Sequence, residues 1–235
     1  MANSVKKLSA KTIHRLNRSR PAQVLRRYTS LAATIHLLQK KCITLIGPDS
    51  WDDKNDAHFM AEYKRITSSK TVLAICLAES GETYHHWRVF SPSSDGVCVE
   101  FDKKRLLHSC EGIKGLAHRK MEYLLIDTLK KKKKDYDAEL LPFLKRRPYE
   151  DEKEYRIVYR NKDTELHSKE VAVELSSINR ITLSPWIHPT LRDSIQQTLK
   201  SIPGCSGIRV ARSTLVGNDE WRSMTSNARV KRRKP

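Results

Sequence analysis

The stretch TVLAICLAE (71–79) decides the fold class of this 235-residue chain. It is a short, continuous apolar run, which is typical of a strand whose two faces are both covered. Two further strands are predicted by GVCVEFD (96–102), where apolar side chains alternate with others, and by KEYRIVYR (153–160). We therefore expect a β-sheet core in the middle of the sequence.

The segments around these strands predict helices as well as further strands. Strands are predicted in residues 23–30, 42–47, 171–185 (two strands) and 207–215, and helices in residues 31–40, 120–137, 188–201 and a segment through Met60 and Tyr63. Because these elements show no regular βαβ alternation, we expect an α+β protein, a single domain with a split or mixed β-sheet core and peripheral helices. Residues 1–20 are interpreted as a basic N-terminal arm, 21–225 as the single α+β domain and 226–235 as a basic C-terminal tail.

The charge of the chain indicates a polyanionic partner. Lys and Arg number 45 against 27 Asp and Glu, so the formal net charge is +18. Such an excess attracts polyanions and is typical of nucleic-acid-binding domains, although a basic protein without such a partner is the alternative. The candidate phosphate-binding residues are Lys130, Lys131, Lys132, Lys133, Lys134, Arg146, Arg147, Arg232 and Arg233. The lysine run is also explained as a solvated helix end that complements the helix dipole.

Cysteine usage and hydropathy suggest the compartment. Five cysteines occur without a CxxC pair, and Cys76 and Cys98 lie in apolar runs. We interpret the cysteines as reduced core residues, not as disulfides or zinc ligands. The sequence has no apolar stretch of about 18 residues and no apolar core of a signal peptide near its start, so we expect a cytoplasmic protein without a membrane partner.

The segment YEDEKEYRIVY (149–159) is the strongest candidate for chemistry, because four carboxylates occupy five positions directly before a strand. Side chains two apart on an extended chain share a face, so Glu150, Glu152 and Glu154 are expected to point the same way. Such carboxylates raise one another's pKa unless cations compensate, for which Arg146, Arg147 and Arg156 are the candidates.

Three interpretations of this segment stay open. Glu152 and Glu154 form an E-x-E pair that handles a dinucleotide and an acceptor. Alternatively, Asp151-Glu152-Lys153 is the D-x-K half of a magnesium-dependent nuclease, with Glu100 or Asp102 as a further ligand. The third possibility is a solvated acidic turn. The adjacent His85 and His86, taken to lie on a strand, would face opposite ways, so no metal site is expected there.

Four blocks in this sequence resemble, in the right order, the domain-of-unknown-function 2971 family of bacterial and phage proteins. They are LRRYTS (25–30), ITLIGPDSWDDKND (43–56), HHWRVFSPSSDGVCVEFD (85–102) and KRRPYEDEKEYRIVY (145–159). Lys54 stands where the family usually has proline, and Phe90 where it usually has tyrosine. The resemblance covers about residues 24–215.

The resemblance implies an ADP-ribosyltransferase layout in residues 21–225, with NAD as substrate. Arg27 would grip the NAD diphosphate or ribose, and Glu154 would stabilise the oxocarbenium-like ribose while Glu152 orients the nucleophile. Tyr28, Trp87 or Phe90 would stack on nicotinamide. The remaining implied residues are Ser91, which would support Arg27 or the ribose, and Asn55, which would line the pocket edge with Asp52, Asp53 and Arg88.

The function expected from the resemblance and the charge together is an NAD-dependent ADP-ribosyltransferase that modifies nucleic acid, RNA more than single-stranded DNA. It would act as a toxin in bacterial anti-phage defence and be neutralised by an acidic antitoxin. The alternatives are the magnesium-dependent nuclease and a non-catalytic nucleic-acid-binding module.

Overall fold

A computed structural model describes residues 23–131 and 137–227. Its strands are β1 (Val24–Ser30), β2 (Cys42–Ile46), β3 (Thr71–Ala78), β4 (Gly96–Asp102), β5 (Leu116–Lys120), β6 (Glu122–Leu124), β7 (Leu144–Arg146), β8 (Glu154–Asn161), β9 (Ser168–Ala172), β10 (Ile178–Leu183) and β11 (Arg209–Arg212). Its helices are α1 (Leu31–Lys40), α2 (Lys54–Ile66), α3 (Tyr84–Phe90), α4 (Lys103–His108), α5 (Ile126–Lys131), α6 (Pro189–Ser201) and α7 (Asp219–Ser223).

Nine strands form one sheet, in which β11-β10-β4-β1-β3-β2-β9 are neighbours and β8 lies between β3 and β5. All pairings in it are antiparallel except β10 with β11. Strands β6 and β7 form a separate parallel pair. The fold is thus α+β with a mixed, mainly antiparallel sheet, as predicted.

The sheet is split along one edge of β3. This strand pairs with β8 over its full length, from Thr71↔Asn161 to Ala78↔Glu154. It meets β1 only at Arg26↔Ala78 and β2 only at Ile46↔Ala74. Because the backbone ladder is missing elsewhere along this edge, side chains from β1 and β3 face a cleft between the two halves of the sheet.

Apolar clusters cover both faces of β3, as its continuous apolar run predicts. Leu73, Ile75 and Leu77 pack in the main core, and Val72 and Ala74 pack against Met60 and Tyr63 of α2 and the residues near them. Every residue of β3 is buried except Cys76, which is half-buried because it faces the cleft.

The helix predicted over residues 120–137 is wrong in its first part. Residues Glu122–Leu124 form β6, which pairs with Leu144–Arg146, and the helix in the described part of this range is Ile126–Lys131. Tyr123 faces the start of β8 and accepts a hydrogen bond from the Glu154 backbone N–H at 2.8 Å. This pairing with a distant segment overrides the local helical preference.

The region around His85 and His86 is the helix α3, not a strand. Thr83 caps it by accepting a hydrogen bond from the His86 backbone N–H at 3.2 Å. Strand β5 was not predicted. No helix in residues 23–131 and 137–227 has the length and apolarity to cross a bilayer.

Several predicted nucleic-acid-binding residues cannot be placed. The N-terminal arm (1–20), Lys132, Lys133, Lys134, Arg232 and Arg233 lie outside the described residues. Lys130 and Lys131 end α5, and their side chains also lie outside the description.

Candidate active site

The cleft at the split in the sheet gathers most of the residues predicted to act on NAD. It comprises about 280 Å³ of space, partly open to solvent, and is lined by Arg26, Arg27, Tyr28, Cys76, Leu77, Ala78, Phe90, Glu152 and Glu154. Five of these nine were named from the sequence as candidates for NAD chemistry. The sequence places them on separate segments, and the fold brings them together because β1, β3 and β8 are neighbours at the split.

A left-handed turn aims Glu152 and Glu154 at the same cation. Residues Arg147–Glu152 form a 3-10 helix that ends at Lys153, whose φ is +46°, and β8 begins at the next residue. The two carboxylates converge on Lys145 Nζ, at 2.6 Å for Glu152 and 3.2 Å for Glu154. They point the same way as predicted, although the chain between them is not extended.

Glu150 does not join the pair, so this part of the prediction is wrong. Its side chain is half exposed and lies 3.5 Å from Arg147 and 3.8 Å from Lys153. The 3-10 helix turns it away from the cleft. Of the three carboxylates predicted to share a face, only Glu152 and Glu154 therefore belong to the buried site.

Glu154 is held in its ionised form. One of its oxygens accepts a hydrogen bond from Arg156 Nε at 2.8 Å and lies 2.7 Å from Nη2 in an ion pair, and the other faces Lys145. Burial raises the pKa of this carboxyl, but Arg156 and Lys145 outweigh burial and lower it to about 2. Glu154 is thus a fixed negative charge at neutral pH, unable to take up a proton.

Arg156 connects this site to helix α2. Its side chain is fully buried and donates two hydrogen bonds to the two oxygens of Asp56, at 2.8 and 2.7 Å, and one to the Pro142 carbonyl at 2.9 Å. The guanidinium also lies 4.7 Å from the ring centroid of Trp51. This two-point geometry, which suits Arg and not Lys, fixes where Glu154 sits.

Glu152 has the opposite electrostatic environment. Burial raises its pKa by more than Lys145 lowers it, and the charge of Glu154 adds to the rise. Lys145 itself is nearly buried, and its contacts with Glu154 and Glu152 hold its pKa above the usual value despite burial. When two neighbouring carboxyls have pKa values shifted in opposite directions, one can stay charged while the other transfers protons. Here Glu154 is the fixed charge and Glu152 is the group suited to proton transfer.

Arg27 supplies a free cation to the cleft. Its Nη1 donates a hydrogen bond to the Cys76 carbonyl at 3.0 Å. Among the described residues no carboxylate lies within ion-pair distance of its guanidinium. Burial lowers the pKa of Arg27, an effect that Cys76 and Glu154 oppose, and an arginine stays protonated in any protein setting. Its remaining donors are available to an anionic or hydroxylic ligand.

Arg27 also borders a second cavity on the other side of the split. This cavity encloses about 780 Å³ of space, partly open to solvent, and is lined by Arg27, Thr29, Ala33, His36, Leu37, Cys42, Ile43, Thr44, Ile46 and Ile75. A single cation therefore lies between two concave regions.

The three aromatic residues that were candidates for stacking on nicotinamide differ in whether they reach the cleft. Tyr28 is buried and stacks on His86, with ring centroids 5.3 Å apart, while Phe90 lines the cleft and keeps 39% of its surface exposed. Trp87 is fully buried and donates its indole N–H to Glu82 at 2.7 Å, so it does not line the cleft. The expectation that it stacks on nicotinamide is wrong for this conformation.

Ser91 and Asn55 also lie away from the predicted contacts. The Ser91 hydroxyl donates to the Thr29 carbonyl at 2.8 Å, so it supports the β1 backbone and not the Arg27 side chain. Asn55 is exposed at the start of α2, where its amide donates to Asp53 at 3.2 Å. The residue of this segment that reaches the site is its neighbour Asp56.

Sequence reasoning missed His86, Lys145 and Asp56. His86 Nε2 lies 2.9 Å from the Glu152 backbone carbonyl, which can only accept, so this nitrogen carries the proton, and Nδ1 accepts from Thr83 at 2.6 Å. Burial lowers the pKa of His86, which keeps the ring neutral. The cap pattern Thr83-x-x-His86 was a local signal for this helix; nothing local pointed to Lys145 or Asp56 as partners of Glu154.

The described residues do not assemble the alternative magnesium site. Glu100 is bound by Arg26 at 2.6 Å and by Arg180 at 3.1 Å. Asp102 caps α4, and Asp151 is exposed. Lys145 lies between Glu152 and Glu154, where a metal ion would have to bind. Neither Glu100 nor Asp102, the two residues proposed as a further ligand, is therefore placed to complete the D-x-K triplet.

Two of the predicted phosphate-binding residues are placed beside the site. Arg146 and Arg147 are exposed, directly after Lys145, whose side chain turns inward. The chain thus presents cations to solvent on the segment that leads into the acidic pair.

Comparisons with known proteins add a distant structural similarity. No family model and no curated protein matches the chain. Among solved structures, a Thermus sp. 2.9 DarT in complex with ADP-ribosylated ssDNA has a TM-score of 0.44 at 9% identity, covering 83% of this chain and 95% of that chain. The same protein in complex with NAD+ has a TM-score of 0.42 at 9% identity, covering 83% and 96%. Scores this low describe only a loose similarity in the arrangement of helices and strands.

Proposed function

We propose that this protein is an NAD-dependent ADP-ribosyltransferase that modifies single-stranded nucleic acid. The proposal rests on two residues that line the same cleft. Glu154 is a buried, ionised carboxylate, and Arg27 is a cation that has no ion-pair partner among the described residues. NAD offers a matching pair of features, a diphosphate and a ribose that becomes positively charged as nicotinamide leaves.

The size of the cleft suggests which part of NAD it takes. The cleft is small and partly open to solvent, so it can take only part of a dinucleotide. We place the nicotinamide riboside end beside Glu154 and Phe90, and the diphosphate at Arg27. The second cavity beyond Arg27 then receives the rest of the molecule.

The two carboxyls divide the chemistry between them. The bond between ribose C1′ and the nicotinamide nitrogen breaks, its electron pair leaves with nicotinamide, and Glu154 stabilises the positive charge on the ribose. A nucleophilic atom of the acceptor then bonds to C1′ and loses a proton. Glu152, whose raised pKa suits a proton acceptor, takes that proton.

The acceptor is proposed from charge. A net charge of +18 and the exposed Arg146 and Arg147 beside the site favour a polyanion over a neutral acceptor. Bases are reachable in single strands, where they need not be unstacked from a duplex. The preference for RNA, the role as a toxin in anti-phage defence and the acidic antitoxin stay predictions from the resemblance.

The test is transfer of label from NAD to a polymer. Purified protein is incubated with NAD labelled in its adenylate part and with RNA or single-stranded DNA, separately, alongside Glu154→Gln. Glu150→Gln is the matched control, since it makes the same change in the same segment on a half-exposed side chain outside the cleft. We expect label on one polymer with the parent and Glu150→Gln, and a loss of roughly 100- to 1,000-fold with Glu154→Gln.

Other outcomes would assign another function. Polymer cleavage that needs magnesium but not NAD would replace the transferase with a nuclease. Tight, salt-sensitive polymer binding by the parent and Glu154→Gln alike, without any chemistry, would leave a binding module.

A further inference from the structure

A second cluster of chemically reactive side chains lies outside the cleft. His36 on α1, Cys42 at the start of β2 and Glu170 on β9 place one donor atom each within 4.8 Å of one another. His36 Nε2 lies 3.1 Å from a Glu170 oxygen and 3.9 Å from Cys42 Sγ. It is the only group of three or more His, Cys, Asp or Glu donors with such spacing in residues 23–131 and 137–227.

The fold brings these three residues together for local reasons. Helix α1 ends at Lys41, whose φ of +51° turns the chain so that Cys42 follows at once on β2. Strand β9 pairs antiparallel with β2 in a register that sets Glu170 opposite Thr44. Since Cys42 and Thr44 are two apart on a strand, they share the face on which Glu170 lies.

An ordinary surface ion pair does not account for the whole arrangement. The His36 and Glu170 side chains are 44% and 54% exposed, so their pairing contributes only about 0–1 kcal/mol. It leaves unexplained why a buried thiol faces the same imidazole nitrogen. The Thr44 hydroxyl oxygen is buried beside the Cys42 thiol and has no other hydrogen-bond partner among the described residues.

The donor types and spacing fit zinc. Imidazole nitrogen, thiolate sulfur and carboxylate oxygen are its usual protein ligands. Tetrahedral zinc with bonds of roughly 2.0–2.3 Å holds its ligand atoms roughly 3.3–3.6 Å apart, within a few tenths of an ångström of the two separations seen here. One thiolate and one carboxylate would together balance the charge of the ion.

We propose that His36, Cys42 and Glu170 bind Zn²⁺. The three ligands come from α1, β2 and β9, so the ion ties helix α1 to the edge of the sheet. His36 and Cys42 also line the second cavity, which leaves the fourth coordination position facing that cavity, within reach of a water that the Thr44 hydroxyl can hydrogen-bond. This revises the sequence interpretation of Cys42 as a plain core thiol, and it does not depend on the proposed transferase activity.

The test measures metal directly on the purified full-length chain. Zinc content after dialysis is measured by mass spectrometry, and Co²⁺ is added to metal-stripped protein to detect the thiolate-to-cobalt charge-transfer band and the strong visible bands of tetrahedral cobalt. We compare the parent with His36→Ala, Cys42→Ser and Glu170→Gln. Cys110→Ser, which changes a buried cysteine outside the cluster, is the control for Cys42→Ser.

We expect stoichiometric zinc and both cobalt signals in the parent and in Cys110→Ser. Cys42→Ser should abolish the charge-transfer band, and each cluster variant should weaken Zn²⁺ binding by more than the roughly 10- to 100-fold that a lost outer-shell contact costs. Glu170→Gln alters an exposed side chain and should stay folded, so it keeps the test valid if Cys42→Ser unfolds. A parent that binds Zn²⁺ no better than Glu170→Gln, or a charge-transfer band that survives Cys42→Ser, would overturn the proposal.

Discussion

Arg156 donates a hydrogen bond from Nε to one carboxylate oxygen of Glu154 at 2.8 Å, its Nη2 lies 2.7 Å from the same oxygen in an ion pair, and both side chains are buried. The two residues are two apart on β8 and so share the face that meets the cleft. Nη1 and Nη2 of the same guanidinium donate to the two oxygens of Asp56. A buried cation thus couples the proposed catalytic carboxylate to helix α2, and the stability of the fold depends on the same charges as its chemistry.

Removing this cation should strongly destabilise the protein. Arg156→Met leaves Glu154 and Asp56 buried with one cation fewer, which costs about 3–5 kcal/mol of unfolding free energy. Asp56→Asn should cost less, because the amide still accepts one of the two hydrogen bonds. Urea denaturation of the parent, both variants and the double variant measures this. Because both side chains belong to one network, the loss of unfolding free energy in the double variant should differ from the sum of the two single losses. A double variant whose loss equals that sum would contradict the network.

The depressed pKa of Glu154 predicts a specific pH dependence. The ionised carboxylate stabilises the folded state at any pH above its unfolded value of 4.5, and this contribution, about 3 kcal/mol, is lost as the pH falls towards 2. The gap in unfolding free energy between the parent and Glu154→Gln should therefore narrow by about 2 kcal/mol between pH 6 and pH 3. Urea curves at both pH values, with Glu150→Gln to correct for general acid effects, measure the gap. A constant gap would show that Glu154 is not held ionised.

The sequence predicted those parts of the site that local pattern controls. The apolar run of β3, the acidic block before β8 and the basic-aromatic pair Arg27-Tyr28 were each visible within a few residues. Their meeting in one cleft was expected only through the resemblance, because the split between β1 and β3 depends on which strands pair.

The partners of the acidic pair were not predictable in this way. Lys145 lies in a run of three basic residues, and only the β6–β7 pairing determines that its side chain turns inward. Asp56 is separated from Arg156 by 100 residues in the sequence. Asp56 and its neighbour Asn55 both lie in the first turn of α2, so local sequence does not distinguish which of them reaches the site. The prediction for Trp87 was wrong because an indole ring is well suited to stacking on nicotinamide, whereas the fold buries this side chain away from the cleft.

Removing Lys145 should shift the pH dependence of transfer. Burial is the larger influence on Glu152, but Lys145 lowers its pKa, so Lys145→Met should raise that pKa further. A general base works in its ionised form, so the acid limb of the profile of kcat/KM against pH should move to higher pH. The variant should also lose about 3–5 kcal/mol of stability, so rates are measured well below its melting temperature. An unmoved acid limb in a folded Lys145→Met would rule out Glu152 as the titrating base.

Replacing Arg27 should separate substrate binding from folding. Arg27 makes one described hydrogen bond, to the Cys76 carbonyl, and has no carboxylate at ion-pair distance among the described residues. Arg27→Gln keeps hydrogen-bonding capacity at that position and removes a poorly solvated charge, so the free energy of unfolding should change by no more than about 1 kcal/mol. Loss of the cation that we assign to the diphosphate should raise the KM for NAD by roughly 10-fold or more, since a charged hydrogen bond contributes about 1.5–3 kcal/mol.

Two comparisons make the Arg27 test decisive. Arg192→Gln removes an exposed arginine of α6, far along the chain from the cleft residues, and should leave KM and stability unchanged. Transfer is measured by label on the polymer and, separately, by nicotinamide release without polymer, because Arg27 acts on NAD and not on the acceptor. If KM for NAD stays the same while only polymer affinity falls, Arg27 belongs to the nucleic-acid surface and the diphosphate must bind elsewhere. If both reactions show the same rise in KM, the cation between the two cavities is the NAD-binding group.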